Sequence, residues 1–327
     1  ELLAGGFSGE LLVAGELGVM VDEIDKTGGL DVAKANQQLA EQNGDLLMTG
    51  EISGAPLYGG LEIETRLDPT RQPFLFDHAP DDDTPWLPGV MAIESMAEAA
   101  AVLAPGYHVT SVENVEMLGA FKFFRSEPRT LYLSVFVEPG TGDKLLARVT
   151  LRSITAPARE GLPTRNQEHF RAQVWLAPEA AAAPDIDFSP LDEDSLPTTA
   201  EQIYELFFHG PSYQVLARAG VAGDQAAGKM PGELPPNSEP AGARLLMAPR
   251  LVELCFQTAA HWSGVSKESM AFPLGVGSLV AYRQVDEAGD GDLLAIVTTT
   301  DDGESFDALV VDEAGRVYVD LRGYRTI

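Results

Sequence analysis

The sequence predicts an α+β fold in which an antiparallel sheet wraps one long buried helix, and it predicts this unit twice. An apolar, Ala-rich helix over Val90–Leu103, followed by strand-like segments, indicates the first unit. An apolar helix over Ala248–Trp262, again followed by strand-like segments, indicates the second. In Leu61–Leu67, apolar and polar residues alternate with a period of two, which is typical of a strand. Two such units side by side would form one extended sheet.

The remaining elements follow in the same order in each half. The first helix opens at Pro88-Gly89, and proline suits a first turn because the N–H groups there have no partner within the helix. The strands predicted after it are Val109–Phe124, Thr130–Val137, Leu145–Ile154 and His169–Leu176. The second half is predicted to hold a short helix over Glu201–Phe208 and strand-like segments at Gln214–Met230, Leu274–Gln284, Asp292–Thr300, Ala308–Val311 and Arg316–Tyr324.

Breaks in composition predict the domain boundaries. Residues 1–55 are interpreted as an interdomain linker or N-terminal extension, 56–178 as the first unit, 179–197 as a Pro/Ala/Asp-rich linker and 198–327 as the second unit. The chain begins with Glu1 rather than methionine, so we expect it to be a segment of a longer polypeptide.

Composition excludes several classes of function. The 327 residues are 45% hydrophobic, which is enough for a sizeable core, and carry a net charge of −28. Such a charge repels phosphate backbones and anionic membranes, so neither nucleic acid nor a membrane is expected as a partner. The single cysteine, Cys255, cannot form an internal disulfide, which favours a reducing cytoplasm. No pair of histidines has the spacing of metal ligands, and no metal is expected.

His78 is the first candidate for chemistry. It ends the apolar stretch Phe74-Leu-Phe-Asp-His78 and precedes Pro88-Gly89. A helix that begins there presents free backbone N–H groups, which suit a carbonyl oxygen or an oxyanion. A base beside such donors is half of an acid/base site. The alternative is a loop histidine that is hydrogen-bonded at a strand end.

Glu253 is the second candidate. The other residues of Leu251–Phe256 are apolar, so the helix is apolar on nearly every face and is predicted to be buried. An unpaired buried carboxylate is costly, and Glu253 is therefore predicted to stay protonated, with a raised pKa. Gln257, four residues on, shares its face and can hydrogen-bond the carboxyl group. The alternative is a narrow polar stripe on the helix surface.

Three segments, in order, resemble the motifs of dehydratase domains in polyketide synthases and related multifunctional fatty acid synthases. Residues 78–89 resemble the HxxxGxxxxP motif. Phe208-His209-Gly210-Pro211-Ser212-Tyr213 resembles the YGPxF stretch, and Pro249-Arg-Leu-Val-Glu253-Leu-Cys-Phe-Gln257 resembles the DxxxQ/H motif. The resemblance covers roughly residues 57–327.

The resemblance implies a double-hotdog fold and dehydration of a β-hydroxyacyl chain carried on the phosphopantetheine arm of an acyl carrier protein. It implies that His78 is the base and Glu253 the acid, and that the active site lies between the two halves. The predicted substrate-binding residues are Pro88, Gly89, His209, Tyr213 and Gln257. No cofactor beyond the carrier arm is implied. The implied partners are the acyl carrier protein and the neighbouring domains of a homodimeric synthase.

The sequence departs from the family pattern at three places. Glu253 stands where the commonest motif has aspartate, and His209 stands where tyrosine is usual. The loop after His78 is one residue longer than usual, with Asp81-Asp82-Asp83 in place of the glycine. Three carboxylates near His78 would raise its pKa, whereas a solvated loop that points away would leave it unaffected.

Two alternatives to dehydration remain open from the sequence. One is a domain of the same fold that isomerises a double bond or directs cyclisation. The other is a docking or spacer module that has lost its catalytic activity, and the replacement of aspartate by Glu253 and the acidic loop are the features that favour it.

Overall fold

The computed structural model describes residues 30–43, 46–55, 60–81, 83–155, 163–189, 191–267, 272–289 and 291–327. The elements of the first half are α1 Val32–Asn43, β1 Glu51–Gly54, β2 Leu61–Leu67, α2 Pro73–Phe76, α3 Gly89–Leu103, β3 His108–Met117, β4 Arg129–Pro139, β5 Leu145–Thr155 and β6 Arg165–Ala177. Those of the second half are β7 Thr198–Thr199, α4 Ala200–Tyr204, β8 Arg218–Ala222, β9 Gln225–Lys229, α5 Pro249–Lys267, β10 Pro273–Ala281, β11 Leu293–Thr300, β12 Ser305–Asp312 and β13 Val317–Thr326.

The described strands form one antiparallel sheet in the order β1-β2-β4-β5-β6-β3-β10-β13-β12-β11-β9-β8-β7. In each half, the strand that follows the long helix lies at the centre of the sheet, and the next three strands lie beside it in reverse order. The two halves meet where β3 pairs with β10, with Val115 opposite Val276. The predicted repeat of a helix and a sheet is therefore confirmed.

α3 is the core helix of the first half. All of its residues except Gly89 and Ala101 are buried, and it contacts β3, β4, β5 and β6. A helix that is apolar on every side has to be enclosed, and its many alanines allow the sheet to approach closely. Its bounds differ from the predicted helix by one residue.

α5 is the corresponding helix of the second half and contacts β8, β9, β11, β12 and β13. It is predicted as Ala248–Trp262 but continues to Lys267. Ala248 lies just outside it, with a φ of 47° in the left-handed region, and therefore turns the chain into the helix. The first turns of α5, which carry Glu253, are buried.

Two strand predictions differ from the structure. β3 ends at Met117, and the buried Phe121 and Phe123 that follow it belong to a loop. Residues 214–230 are not one strand but the hairpin of β8 and β9, since Gly223 has a φ of 59° and allows a tight turn.

The described part of the predicted 1–55 extension is not detached from the first unit. β1 pairs with β2, and Met48 and Ile52 are buried in the core. The backbone of this part therefore extends the sheet of the first unit. Residues 1–29 lie outside the described part, and the predicted domain boundaries stay predictions.

Two buried glutamates of α3 hold this N-terminal segment and the entry to α5. Glu98 accepts hydrogen bonds from the N–H groups of Leu47 and Met48, at 3.2 and 2.7 Å. Glu94, one turn earlier, accepts from the N–H groups of Leu246 and Met247, at 2.6 and 2.8 Å.

Burial raises the pKa of Glu94 to about 7. Burial, followed by the charge of Glu94, raises the pKa of Glu98 well above its ordinary value.

Within the described residues, no helix is both long and apolar enough to cross a membrane.

The raised pKa of Glu94 predicts stability that falls with rising pH. The folded state holds this proton more tightly than the unfolded state does, so its contribution is complete below the ordinary value of 4.5 and is lost as the pH rises through about 7. Urea unfolding at pH 5, 6, 7 and 8 should show Glu94→Gln as less stable than the wild type at pH 5, with a difference that shrinks by pH 8.

The exposed Glu127 provides a matched control, and Glu127→Gln should follow the wild-type curve at every pH. Parallel curves for Glu94→Gln and the wild type would contradict the assignment.

Candidate active site

His78 follows α2, and backbone hydrogen bonds hold it beside the start of α3. The Trp86 N–H donates to the His78 carbonyl oxygen at 2.9 Å, and the His78 Nδ1 lies 3.1 Å from the Trp86 carbonyl oxygen. A carbonyl oxygen only accepts, so Nδ1 carries the ring proton of the neutral imidazole. The lone pair is then on Nε2, where a base needs it.

The surroundings keep His78 neutral. Burial, followed by the charge of nearby His209, lowers its pKa to about 4, although Glu253 opposes the shift. A histidine with this pKa is unprotonated at neutral pH and can accept a proton.

Glu253 projects from the buried face of α5, with its side chain only 6% exposed. The predicted contact with Gln257 is present, since Gln257 Nε2 donates to Glu253 Oε1 at 2.9 Å. The same nitrogen donates to the Tyr213 carbonyl oxygen at 2.9 Å. Gln257 Oε1 accepts from the Tyr204 hydroxyl at 2.8 Å, so a network of side chains fixes the carboxyl group.

His209 contacts both candidate catalytic groups. Its Nε2 lies 3.1 Å from Glu253 Oε1, and its ring centroid lies 5.7 Å from that of His78. Phe208 stacks on His209 at 4.1 Å and meets His78 edge-on at 5.1 Å. The structure therefore brings His78 and Glu253 to one place, with His209 in contact with both.

The prediction that Glu253 has a raised pKa is wrong. Burial alone would raise it, but the hydrogen bond from His209, together with the charge interactions with His209 and His78, lowers the pKa below its ordinary value. The raised pKa was expected for an unpaired carboxylate, but Glu253 has a partner, His209, which lies in a loop 44 residues earlier in the chain.

Pro88 and Gly89 form the start of α3. Pro88 is buried and precedes the helix, and its carbonyl oxygen accepts from Met91 and Ala92. The Gly89 N–H precedes the first bond within the helix and is left for another acceptor. A Cβ at Gly89 would lie 3.1 Å from the end of the Met117 side chain, so a larger residue would crowd this point.

Tyr213 is fully buried, and its ring centroid lies 6.3 Å from that of His78. This predicted substrate-binding residue therefore lies beside the candidate base. Tyr204 was not predicted. Its hydroxyl also accepts from the Leu216 N–H at 2.8 Å, which fixes the loop after Tyr213.

Asp77 is a second residue that the sequence reasoning missed. Its carbonyl oxygen accepts from the Gly210 N–H at 2.8 Å, and its Oδ2 accepts from the Ser212 N–H at 2.8 Å. It therefore joins the loop of His78, in the first half, to the loop of His209, in the second. A possible signal was its position next to His78, but the loop that it binds is more than 130 residues away.

The acidic loop lies away from the site. Asp81 and Asp83 are exposed, and Asp81 Oδ2 forms an ion pair with Lys122 Nζ at 2.9 Å. Lys122 also lies over the Trp86 ring, 4.2 Å from its centroid. The pKa of His78 is lowered rather than raised, as expected if these carboxylates do not act on it. Asp82 lies outside the described residues.

Residues 189–327 match the family model described as "Polyketide synthase dehydratase N-terminal domain". The resemblance to polyketide synthase dehydratase domains is confirmed. The matched region contains His209, Tyr213, Glu253 and Gln257, and His78 lies outside it. No curated protein sequence matches the chain.

Solved structures of dehydratase domains are similar over most of the chain. The dehydratase domain from the CurF module of curacin polyketide synthase has a TM-score of 0.69 at 18% identity, over 86% of this chain and 99% of the other. A trans-AT PKS dehydratase domain from Brevibacillus brevis has a TM-score of 0.68 at 18% identity, over 85% and 96%. An isomerase-inactive variant of GphF DH1 has a TM-score of 0.62 at 18% identity, over 85% and 95%. These matches establish the expected double-hotdog fold.

The contact between Asp77 and Gly210 predicts that Gly210→Ala destabilises the protein. A Cβ at Gly210 would lie 2.3 Å from Asp77 Oδ1, so one of the two loops has to move. We expect a loss of about 1–3 kcal/mol, the usual range for overpacking, in urea unfolding.

Gly232→Ala is the matched control, because no atom lies within 4 Å of its added Cβ. A loss no larger than that of this control would show that the contact is not tight.

Proposed function

We propose that the chain dehydrates a β-hydroxyacyl thioester on an acyl carrier protein to the α,β-enoyl thioester. The observation that carries the proposal is a neutral His78, with its Nε2 lone pair free, beside a buried carboxyl group contributed by the other half. Elimination of water needs these two functions together, because one group removes the α-proton and another protonates the departing hydroxyl group. The match of residues 189–327 to the dehydratase family supports the proposal.

In this reaction His78 Nε2 takes the proton from the α-carbon. The electron pair forms the new double bond as the β C–O bond breaks, and the oxygen leaves as water with a proton that comes from Glu253. Gln257 holds the carboxyl group through its 2.9 Å hydrogen bond. Each such acid or base contributes typically about 10²–10⁴-fold in rate.

The Gly89 N–H is proposed to stabilise the thioester oxygen. Negative charge develops on that oxygen as the α-proton leaves, and a donor that is already in place costs no reorganisation. Gly89 N–H is suited to this role because it lies at a helix start, where an N–H has no acceptor within the helix.

The proposed partners are the acyl carrier protein, with the substrate on its phosphopantetheine arm, and the neighbouring domains of a cytoplasmic, homodimeric synthase. No other cofactor is proposed. A net charge of −28 would repel an acidic carrier protein, so we propose that tethering within the synthase supplies the local concentration.

Replacement of either reacting group should remove dehydration. We expect His78→Phe and Glu253→Gln each to lower the rate of enoyl formation from a model β-hydroxyacyl thioester by about 10²-fold or more, because the α-proton or the hydroxyl group loses its partner. Mass spectrometry of the product thioester measures the effect.

Exposed residues of the same types provide controls. His108→Phe and Glu205→Gln should retain the wild-type rate. Full activity in His78→Phe would overturn the assignment of the base. A wild-type protein that binds its carrier but forms no enoyl product would favour a docking module, and a product with a shifted double bond would favour isomerisation.

The lowered pKa of His78 predicts an unusual pH profile. A base with a pKa of about 4 stays unprotonated, so kcat/KM should not fall between pH 7 and pH 5. A histidine with the ordinary value of 6.5 would be mostly protonated at pH 5. An acidic limb near pH 6.5 would show that His78 is not the base or is not shielded from water.

A further inference from the structure

We propose that His209 and Glu253 act as one proton-donating pair, in which the proton given to the departing hydroxyl group is held jointly by His209 Nε2 and Glu253 Oε1. This inference rests on the proposed dehydration and names the source of its acid. His209 stands where the resemblance expects tyrosine, a side chain that stays neutral at physiological pH and cannot take up a second proton.

The geometry of the pair suits a shared proton. Nε2 and Oε1 lie 3.1 Å apart, and the two side chains are only 8% and 6% exposed. Gln257 donates to the same oxygen, and within the described residues no group donates to Oε2. Oε2 is therefore the atom of the pair that is left for the substrate hydroxyl group.

Glu253 alone is a poor acid. His209 lowers the pKa of this carboxyl group below its ordinary value, so the group is ionised at neutral pH. An ionised carboxylate has no proton to give. A proton can reach the hydroxyl group at neutral pH if His209 carries it and passes it to Oε1 through the 3.1 Å contact. Rotation of the neutral carboxyl group about its Cγ–Cδ bond then exchanges the two oxygens, so that the protonated oxygen faces the hydroxyl group.

The other ring nitrogen of His209, Nδ1, is buried and has no hydrogen-bond partner within the described protein. In the loaded pair, whether the proton is on Nε2 or on Oε1, Nδ1 carries a hydrogen, and this hydrogen faces no acceptor of the described protein. An unpaired buried donor is costly, so we infer that a polar group of the bound substrate completes it.

Five titratable groups near the pair are uncharged at neutral pH because they are buried. Burial lowers the pKa of His78 to about 4, and burial raises the pKa of Tyr204, on α4, and of Tyr213. Burial likewise raises the pKa of Tyr324, on β13, and of Cys255, on α5. These neighbours therefore stay uncharged while the pair gains or loses its proton.

The proton balance closes over one turnover. His78 Nε2 gains the proton from the broken α C–H bond, and the pair loses one proton to the oxygen that leaves as water. Release of the product leaves His78 with one proton too many and the pair with one too few. Exchange with solvent restores both groups, and no oxidant or reductant is involved.

His209→Gln tests the pair, because the amide can still donate a hydrogen bond but cannot carry an extra proton. At pH 7.5 we expect kcat to fall about 100-fold with KM nearly unchanged, and to recover as the pH is lowered and Glu253 takes up its own proton. A residue that only shapes the site would lose activity equally at every pH. The buried His261, near the C-terminal end of α5, provides the control, and His261→Gln should keep the wild-type profile.

A second measurement does not depend on turnover. In ¹⁵N NMR of the resting protein at pH 7, both ring nitrogens of His209 should carry a proton, and Glu253→Gln should leave a proton on only one of them, because the carboxylate that stabilises the imidazolium is gone. A wild-type His209 with only one protonated ring nitrogen, or a His209→Gln enzyme with the wild-type rate and profile, would overturn the pair. A wild-type protein that never dehydrates would overturn the proposed function alone, and the NMR measurement would then decide whether the pair exists.

Discussion

The burial of the Glu253 carboxylate is the constraint on which the rest of the site depends. A carboxylate out of water costs several kcal/mol unless donors replace the lost solvation, and Gln257 and His209 are those donors. The His209 loop has to be held in place for this contact to persist, and Asp77 holds it. Because Asp77 immediately precedes His78, the same anchor sets the position of the proposed base relative to the proposed acid.

The sequence predicted what depends on local pattern. The two buried helices, the extended sheet implied by their repetition and the polar face of Glu253 and Gln257 follow from periodicity that extends over a few residues. The contact of His209 with Glu253 was not predictable in this way, because it depends on how two loops from distant parts of the chain pack together. The wrong direction for the pKa of Glu253 followed from that missing partner. The buried carboxyl groups of Glu94 and Glu98 were not predicted, although both lie in an apolar helix. As for Glu253, a carboxyl group in such a helix is expected to be buried and to need a partner.

The two long helices occupy corresponding places but use their buried carboxyl groups differently. On α3, Glu94 and Glu98 bind backbone N–H groups, and neither contacts a histidine within the described residues. On α5, Glu253 binds side chains, one of which is a histidine. Backbone amides cannot exchange a proton with a carboxyl group, whereas an imidazole can. The partner therefore separates a carboxyl group that holds the fold together from one that is free to do chemistry.

The pairing of β3 with β10 limits how far the two halves can move apart. The sheet runs without interruption from one half to the other, so swinging the halves apart would break a ladder of backbone hydrogen bonds, each worth about 1 kcal/mol net. The distance between His78, in the first half, and Glu253, in the second, is thus determined by the continuous sheet rather than by closure around a ligand. The proposed acyl substrate would have to pass the side chains beside His78 and His209, among them the partly exposed Phe208. Under this proposal, a site of fixed width would select an acyl chain by its size and shape, and it would not adapt to the chain on binding.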